Sequence, residues 1–492
     1  MRKWWILDTN TADKTGYAGT DKLLLGIVLS VLTFALFSQT IINLAPTVRT
    51  DLGIDVASSN LAVSITALFS GMFVVLLGGL SDRFGKLKMI RIGLALSIAG
   101  SALIALSPAG TAAFLMTGRI LQGLSAACIL PSTLALIKVY YQGAQRQRAV
   151  SFYSMGSWGG SGMTSLFGGI VASAIGWRWI FWLSIAIAVL SFVLLLGTPE
   201  SKNTADTHGK KYDIPGIVTF ILGMVALNLF IGQGSNLGWL NPVTIGLALG
   251  AVVSLTAFYF IERSHKEPFI DFSLFSIRMY RGATLSNFLL NSAAGTLVVT
   301  LSVVQIGAGF TSFQAGLLPI GYLIAILTTI RIGEKLLQRW GARRPMILGS
   351  SITGLGILLL TSTFLLTAQY RVVAIVAFTL FGAGLGFYAT PSTDAALSTV
   401  PEEQAGAASG IYKMSSSLGS ALGIAISAAI FTGLSGAKIS FAEGLFLGRT
   451  DNIAVRLAAM IALLYNLFMV MLAIVSILAT IPPEKRKDQA AG

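Results

Sequence analysis

The chain has 492 residues, of which 54% are hydrophobic and 11% charged, and a formal net charge of +14. So apolar a sequence exceeds what a soluble domain uses and specifies a polytopic membrane protein. The positive charge then reads as basic loops on one membrane face, not as a nucleic-acid surface. A single cysteine (Cys128) and two histidines (His208, His265) give no disulfide framework, no cysteine-based metal site and little basis for a Ser-His-Asp or zinc hydrolase.

Residues 1–22 hold no apolar run long enough for a cleaved signal peptide and read as a cytoplasmic tail, touching the interface through Trp4 and Trp5. A spanning helix needs about 20 apolar residues. Such runs are predicted at 23–45, 58–80, 89–107, 112–137, 149–173, 178–198, 214–234, 243–261, 282–306, 313–332, 346–366, 372–397, 405–431 and 455–481. The even number puts both termini on one side, and the bias of Lys and Arg toward that side makes it cytoplasmic. The expected fold class is an all-α polytopic membrane protein. It has a six-helix bundle (23–198), a polar linker (199–213), an inserted hairpin (214–261), a second linker (262–281), a second six-helix bundle (282–481) and a tail (482–492).

The two halves echo one another. Pro131-Ser132-Thr133 returns as Pro391-Ser392-Thr393, and Tyr153-Ser154-Met155 as Tyr412-Lys413-Met414. The stretch Gly78 to Met89, GGLSDRFGKLKM, is answered from Gly333 to Gly341, with Gln338 in the place of Asp82. A register kept at three separate places is the mark of a transporter built from internal repeats.

In chain order, the first candidates are on helix one: Phe34, Phe37, Gln39 and Asn43. With Phe69, Phe73, Trp158, Asn287, Phe288, Asn291, Phe387 and Tyr388 they form a set of aromatic and amide side chains suited to flat amphiphilic molecules. For any one of them, helix packing or lipid contact is the plainer role. Next, Asp82 and Arg83 stand where a helix ends, with Gly78 and Gly85 permitting close packing and a sharp turn. Asp82 is either a gating residue or a solvated helix cap, and Glu334 is its counterpart in the second half. Arg119 lies within helix four, where a charge is costly, so it either serves function or braces backbone carbonyls. Gln122 and Gly123 follow it, and Gly168 and Gly169 close a glycine-rich fifth helix. Asp394 lies about six residues, or ~9 Å of helix, from the inner end of helix twelve. Lys413 lies at similar depth on the antiparallel helix that follows. The two are expected to interact as a proton-sensitive pair; the plainer readings are a static bridge or a carboxylate solvated at the helix end.

The string G-x-L-x-D-R-x-G-K from Gly78 to Lys86, with GRILQG at Gly118–Gly123 and the run Gly176 to Phe181, GWRWIF, resembles the major facilitator superfamily. Within it the chain is most similar to the fourteen-helix drug:proton antiporters, and there to the staphylococcal Nor-type multidrug exporters. The chain departs from many relatives in having Ser38 where an aspartate is common, and Thr164-Ser165 where the antiporter pattern has Gly-Pro. The resemblance implies gating through Asp82 and Arg83, proton transfer through Arg119, and a conformational motif of Gly78, Gly85, Gln122, Gly123, Gly168 and Gly169; Asp394, Lys413 and Glu334 join the proton-coupling or gating candidates on the residues alone. It implies export of fluoroquinolones, tetracycline-like drugs and cationic dyes from a bacterial cell, with protons as the coupling ion, no cofactor and no metal. The implied partners are small amphiphiles and the lipid bilayer, with no nucleic acid, and the unit is a monomer. A dedicated exporter of one metabolite, lipid precursor or peptide is the second reading. A non-transporting sensor is the third, and no G-x-x-x-x-G-K-[ST] string supports an ATP-driven device.

Overall fold

The computed structural model describes residues 17–201, 213–265, 272–307, 309–310, 312–365, 367–435 and 451–483. Trp4, Trp5, His208, residues 202–212 and 266–271 of the two polar linkers and the outer segment 436–450 lie outside them. Every regular element among the described residues is helical.

The first rod is α1 (Asp21–Leu32), a π-helical turn (Thr33–Ser38) and α2 (Ile41–Leu52). α3 (Val56–Phe84), α4 (Lys86–Ala105) and α5 (Ala113–Tyr140) follow singly. α6 (Gly143–Ser154) runs through a second π-helical turn (Met155–Gly159) into α7 (Gly160–Ala174), and α8 (Arg178–Leu194) closes the first group. α9 (Ile214–Leu237) and α10 (Pro242–Ser264) form the hairpin. α11 (Arg278–Asn291) continues into α12 (Gly295–Ser302), and the short α13 (Ser312–Leu317) leads to α14 (Ile320–Trp340). α15 (Arg343–Leu360), α16 (Thr367–Ser398), α17 (Ala405–Ser435) and α18 (Ile453–Thr480) complete the order.

Among the described residues, eleven helices are singly long and apolar enough to cross a membrane. A pair bent by 114°, Leu166–Ala174 with Arg178–Leu194, brings the number to twelve. With contiguous helices joined, this order is compatible with the fourteen expected spans, although the runs 143–174, 178–194 and 343–360 do not qualify singly. Outward-turned Leu222 on α9, Val253 and Phe260 on α10 and Val475 on α18 give the chain an apolar exterior suited to lipid.

α3 and α4 pack on α5, and α1 and α4 on α8; α14 and α15 pack on α16, and α11, α15 and α17 on α18. The seam between these groups is made by α3 and α5 against α17, and by α6 against α14 and α16. The hairpin leans on α3 and α17 through α9. Close approach at the seam depends on glycine: a Cβ on Gly78 would stand 2.6 Å from the Gly406 carbonyl oxygen. The repeated Pro-Ser-Thr does the same work in both halves. Each proline removes one helical N–H, and the threonine two residues on donates back into its own helix, Thr133 to the Ile129 carbonyl at 2.7 Å and Thr393 to the Ala389 carbonyl at 2.9 Å.

Candidate functional site

The polar groups gather at one end of the seam, here called the basic end. Asp82 is the last carboxylate of α3, buried where α17 begins. Its Oδ1 accepts the Gly406 N–H at 2.9 Å and its Oδ2 the Ala407 N–H at 3.0 Å. The Lys86 ammonium stands 3.0 Å from Oδ1. A carboxylate at a helix N-terminus meets unsatisfied N–H groups and the positive end of the helix dipole together. Asp82 is therefore a cap, but the helix it caps belongs to the other half of the chain. Arg83 is half-buried beside it.

A second carboxylate works the same way nearby. Glu200, just past the first helical group, accepts the N–H groups of Leu87 at 2.9 Å and Lys88 at 2.8 Å, so it caps α4. Gly85 joins α3 to α4 with φ +112°, and a Cβ there would lie 2.5 Å from the Glu200 carboxyl carbon. Glu200 was not among the sequence candidates. Its only sequence signal is an acid next to a proline at a helix end.

Asp394, buried on α16, pairs with Arg146 of α6 at 2.9 Å. This corrects the expected Asp394–Lys413 pair. That expectation made α16 and α17 neighbours because they are consecutive, whereas α16 packs chiefly on α14 and α15. Beside this pair the Lys138 ammonium donates to the Ser398 carbonyl at 3.2 Å, a second tie from α5 to the end of α16. Glu334 pairs with Arg331 and accepts from Gln338 at 3.3 Å, and the Arg331 guanidinium covers the Phe152 ring of α6 at 4.6 Å. Glu334 thus lacks the helix-capping geometry of Asp82. Arg146 and Phe152 were missed in the sequence because a QRQR run before a helix reads as a solvated loop.

Arg119 is fully buried on α5. Its Nε donates to the Ala62 carbonyl at 2.8 Å, and its Nη1 to the Ser38 carbonyl at 2.7 Å and to Gln122 Oε1 at 2.9 Å. Thr66 Oγ1 returns a bond to the Arg119 carbonyl at 2.8 Å, and Gln122 Nε2 donates to Ser101 at 3.2 Å. No carboxylate pairs with Arg119 among the described residues. The guanidinium ties α5 to the backbone of two other rods, α3 and the first. Gly123 lets α5 approach α3, where a Cβ would meet the Thr66 carbonyl at 2.7 Å. Gly168 faces Thr40, while Gly169 has open space.

Lys413 is buried on α17 and makes no ion pair among the described residues. Its ammonium stands 4.8 Å from the centre of the Tyr153 ring, which α6 presents across the seam. Placing a lysine within a membrane helix costs about 2.5–3.5 kcal/mol on insertion scales, and a ring face returns about 0.5–2 kcal/mol. The charge is therefore incompletely compensated.

Phe69 and Phe73 stack at 6.0 Å on α3 and, with Trp158 in the π-helical turn, are half-buried. Gln39, Phe288 and Phe387 are also half-buried, and half-buried Asn291 donates to the Asn287 carbonyl at 2.8 Å. Two expected ligand-facing aromatics are packed away instead: Phe37 meets Phe167 edge-on at 5.2 Å, and Tyr388 is fully buried with its hydroxyl 2.8 Å from Ser286 Oγ. Both sit on faces turned toward neighbouring helices of their own group. The side chain of Asn43 lies outside the described residues.

The family model described as Major Facilitator Superfamily matches residues 25–424 and 283–492. The chain is 46% identical over 468 residues to "Quinolone resistance protein NorB" of Staphylococcus aureus (strain MRSA252), covering 95% of this chain and 97% of that protein. The protein of the same name from strain COL is 46% identical over 471 residues, covering 96% and 98%. Among solved structures, the proton:xylose symporter XylE aligns with a TM-score of 0.64 at 17% identity, covering 94% of this chain and 96% of that one. A bacterial homologue of the iron transporter ferroportin, in an outward-facing state, aligns with a TM-score of 0.62 at 13% identity, covering 93% and 98%.

Proposed function

The chain belongs to the Major Facilitator Superfamily, a multi-pass membrane transporter and not an enzyme, and from that premise we propose that it exports amphiphilic organic compounds in exchange for protons. Fluoroquinolones, tetracycline-like drugs and cationic dyes are the proposed cargo. The quinolone-resistance relatives support that class, as do the half-buried Phe69, Phe73 and Trp158 on the seam. The basic end faces the cytoplasm with both termini, and the protein works as a monomer in the lipid bilayer with no cofactor.

The observation that carries the mechanism is the set of ties across the basic end: Asp82 to the start of α17, Arg146 to Asp394, and Lys138 to Ser398. In this conformation they hold that end shut. Alternating access requires them to break. The moving bodies are residues 23–198 and 282–481, with the hairpin 214–261 riding on the seam. An ionised Asp394 holds Arg146. A proton arriving from outside neutralises Asp394, frees Arg146 and lets the basic end open, where cargo enters as the proton leaves to the cytoplasm. Reclosure requires Asp394 to be ionised again, so proton and cargo use opposite states. Asp82 sets how firmly the closed state is held. Arg119, with Gln122, keeps the first group rigid while it rocks.

The test is flux of norfloxacin and a cationic dye in proteoliposomes under an imposed pH gradient. Uphill flux that collapses with the gradient supports the proposal. Folded protein that moves neither compound refutes multidrug export and favours one dedicated metabolite.

A further inference from the structure

We propose that Lys413 anchors the acidic group of the transported amphiphile, so that the seam selects flat molecules bearing a carboxylate over purely cationic ones. This deepens the export reading and rests on it. Lys413 is 9% exposed and lies about 12 Å along α17 from its basic end. The buried carboxylates of the seam are engaged elsewhere: Asp82 by Gly406, Ala407 and Lys86, Asp394 by Arg146, and Glu334 by Arg331. What faces the ammonium is the Tyr153 ring of the opposite group, which supplies no negative charge.

The register of α3 against α17 shows what lies level with it. Gly78 abuts Gly406, and a Cβ on Gly410 would touch the Val74 carbonyl at 2.8 Å. One further turn of each antiparallel helix brings Lys413 level with residues 70–73 of α3. Phe73 is at that level, its stacked neighbour Phe69 lies one turn beyond it on α3, and Trp158 follows Tyr153 on the same rod. A cation at one edge and half-buried rings beyond it match an aromatic carboxylic acid. The carboxylate takes hydrogen bonds from the ammonium, which has three to give and has no acceptor among the described residues, while the ring system lies on the aromatics. A purely cationic amphiphile would bring like charge to the same point.

The experiment measures binding of norfloxacin, norfloxacin methyl ester and ethidium to purified full-length protein in detergent, at a pH where the acid is ionised. Wild type, Lys413→Met and Lys413→Arg are compared. Wild type should prefer the acid to its ester. Lys413→Met should weaken acid binding roughly ten- to hundredfold, the range of a lost charged hydrogen bond, leave the ester unchanged and bind ethidium at least as well. Lys413→Arg should keep the preference. A wild type without that preference, a Lys413→Met variant that binds the acid normally, or one that weakens all three ligands alike would overturn the proposal. Failure of the export reading looks different: the acid preference persists in detergent while vesicles show no flux.

Discussion

Asp82 Oδ1 accepts the Gly406 N–H at 2.9 Å, although the two residues are 324 positions apart. A carboxylate ending one helix in the first half is the N-terminal cap of a helix in the second. The contact is possible because Gly78 and Gly406 have no Cβ to hold their backbones apart. It joins a local motif to the closing of one end of the molecule.

Asp82→Asn keeps the shape and removes the charge. A charged hydrogen bond is worth about 1.5–3 kcal/mol, so the closed basic end should lose roughly ten- to hundredfold in population. Spin labels at exposed Lys88 and Glu403, one on each side of the seam, would report it. The variant should show a longer, broader distance distribution than wild type; identical distributions would mean that Asp82 caps α17 without holding the end shut.

The Arg146–Asp394 pair should behave as a unit. Removing one partner of a buried pair costs about 3–5 kcal/mol, and the partial exposure of Arg146 places this pair at or below the lower figure. Arg146→Asp and Asp394→Arg should each abolish gradient-driven flux, and the double exchange should restore a measurable part. A double variant as dead as either single one would show that the two positions act separately.

Arg119→Ala should first be a stability defect. It strips donors from the Ala62 and Ser38 carbonyls and from Gln122 in a dry interior, and each unsatisfied group costs about 1–3 kcal/mol. Thermal unfolding in detergent should drop by several degrees or more, and Arg119→Lys, which reaches fewer acceptors, should fall between. Unchanged stability with lost flux would assign Arg119 a direct part in proton movement.

Glu200→Ala should leave the first N–H groups of α4 uncapped and cost about 1 kcal/mol, the usual worth of a cap. Gly85→Ala should cost more, because it strains a positive-φ backbone and collides with the same carboxylate. Thermal melts of both variants and of the double variant check this. The double variant should lose less than the sum, since the collision disappears with the Glu200 side chain.

Much of the fold was legible in the sequence because membrane spans announce themselves by composition and the repeat by its register. Asp82 and Arg119 were legible as candidates because a charge inside or at the end of an apolar run is costly anywhere in the fold. Their partners were not. Arg146 meets Asp394 across 248 residues, and nothing in a basic loop says which helix it will face. The expected Asp394–Lys413 pair failed for the same reason: sequence order supplied a neighbour that helix packing does not. Phe37 and Tyr388 show a further limit, because an aromatic letter does not say which face of its helix it is on.

The measurement that bears most directly on coupling is proton release on substrate binding. Purified protein in weakly buffered detergent is mixed with saturating dye or norfloxacin while a pH indicator is read. Wild type should release protons when cargo binds, and Asp394→Asn should bind the same cargo without releasing any. Wild-type binding with no release, or equal release from Asp394→Asn, would contradict it.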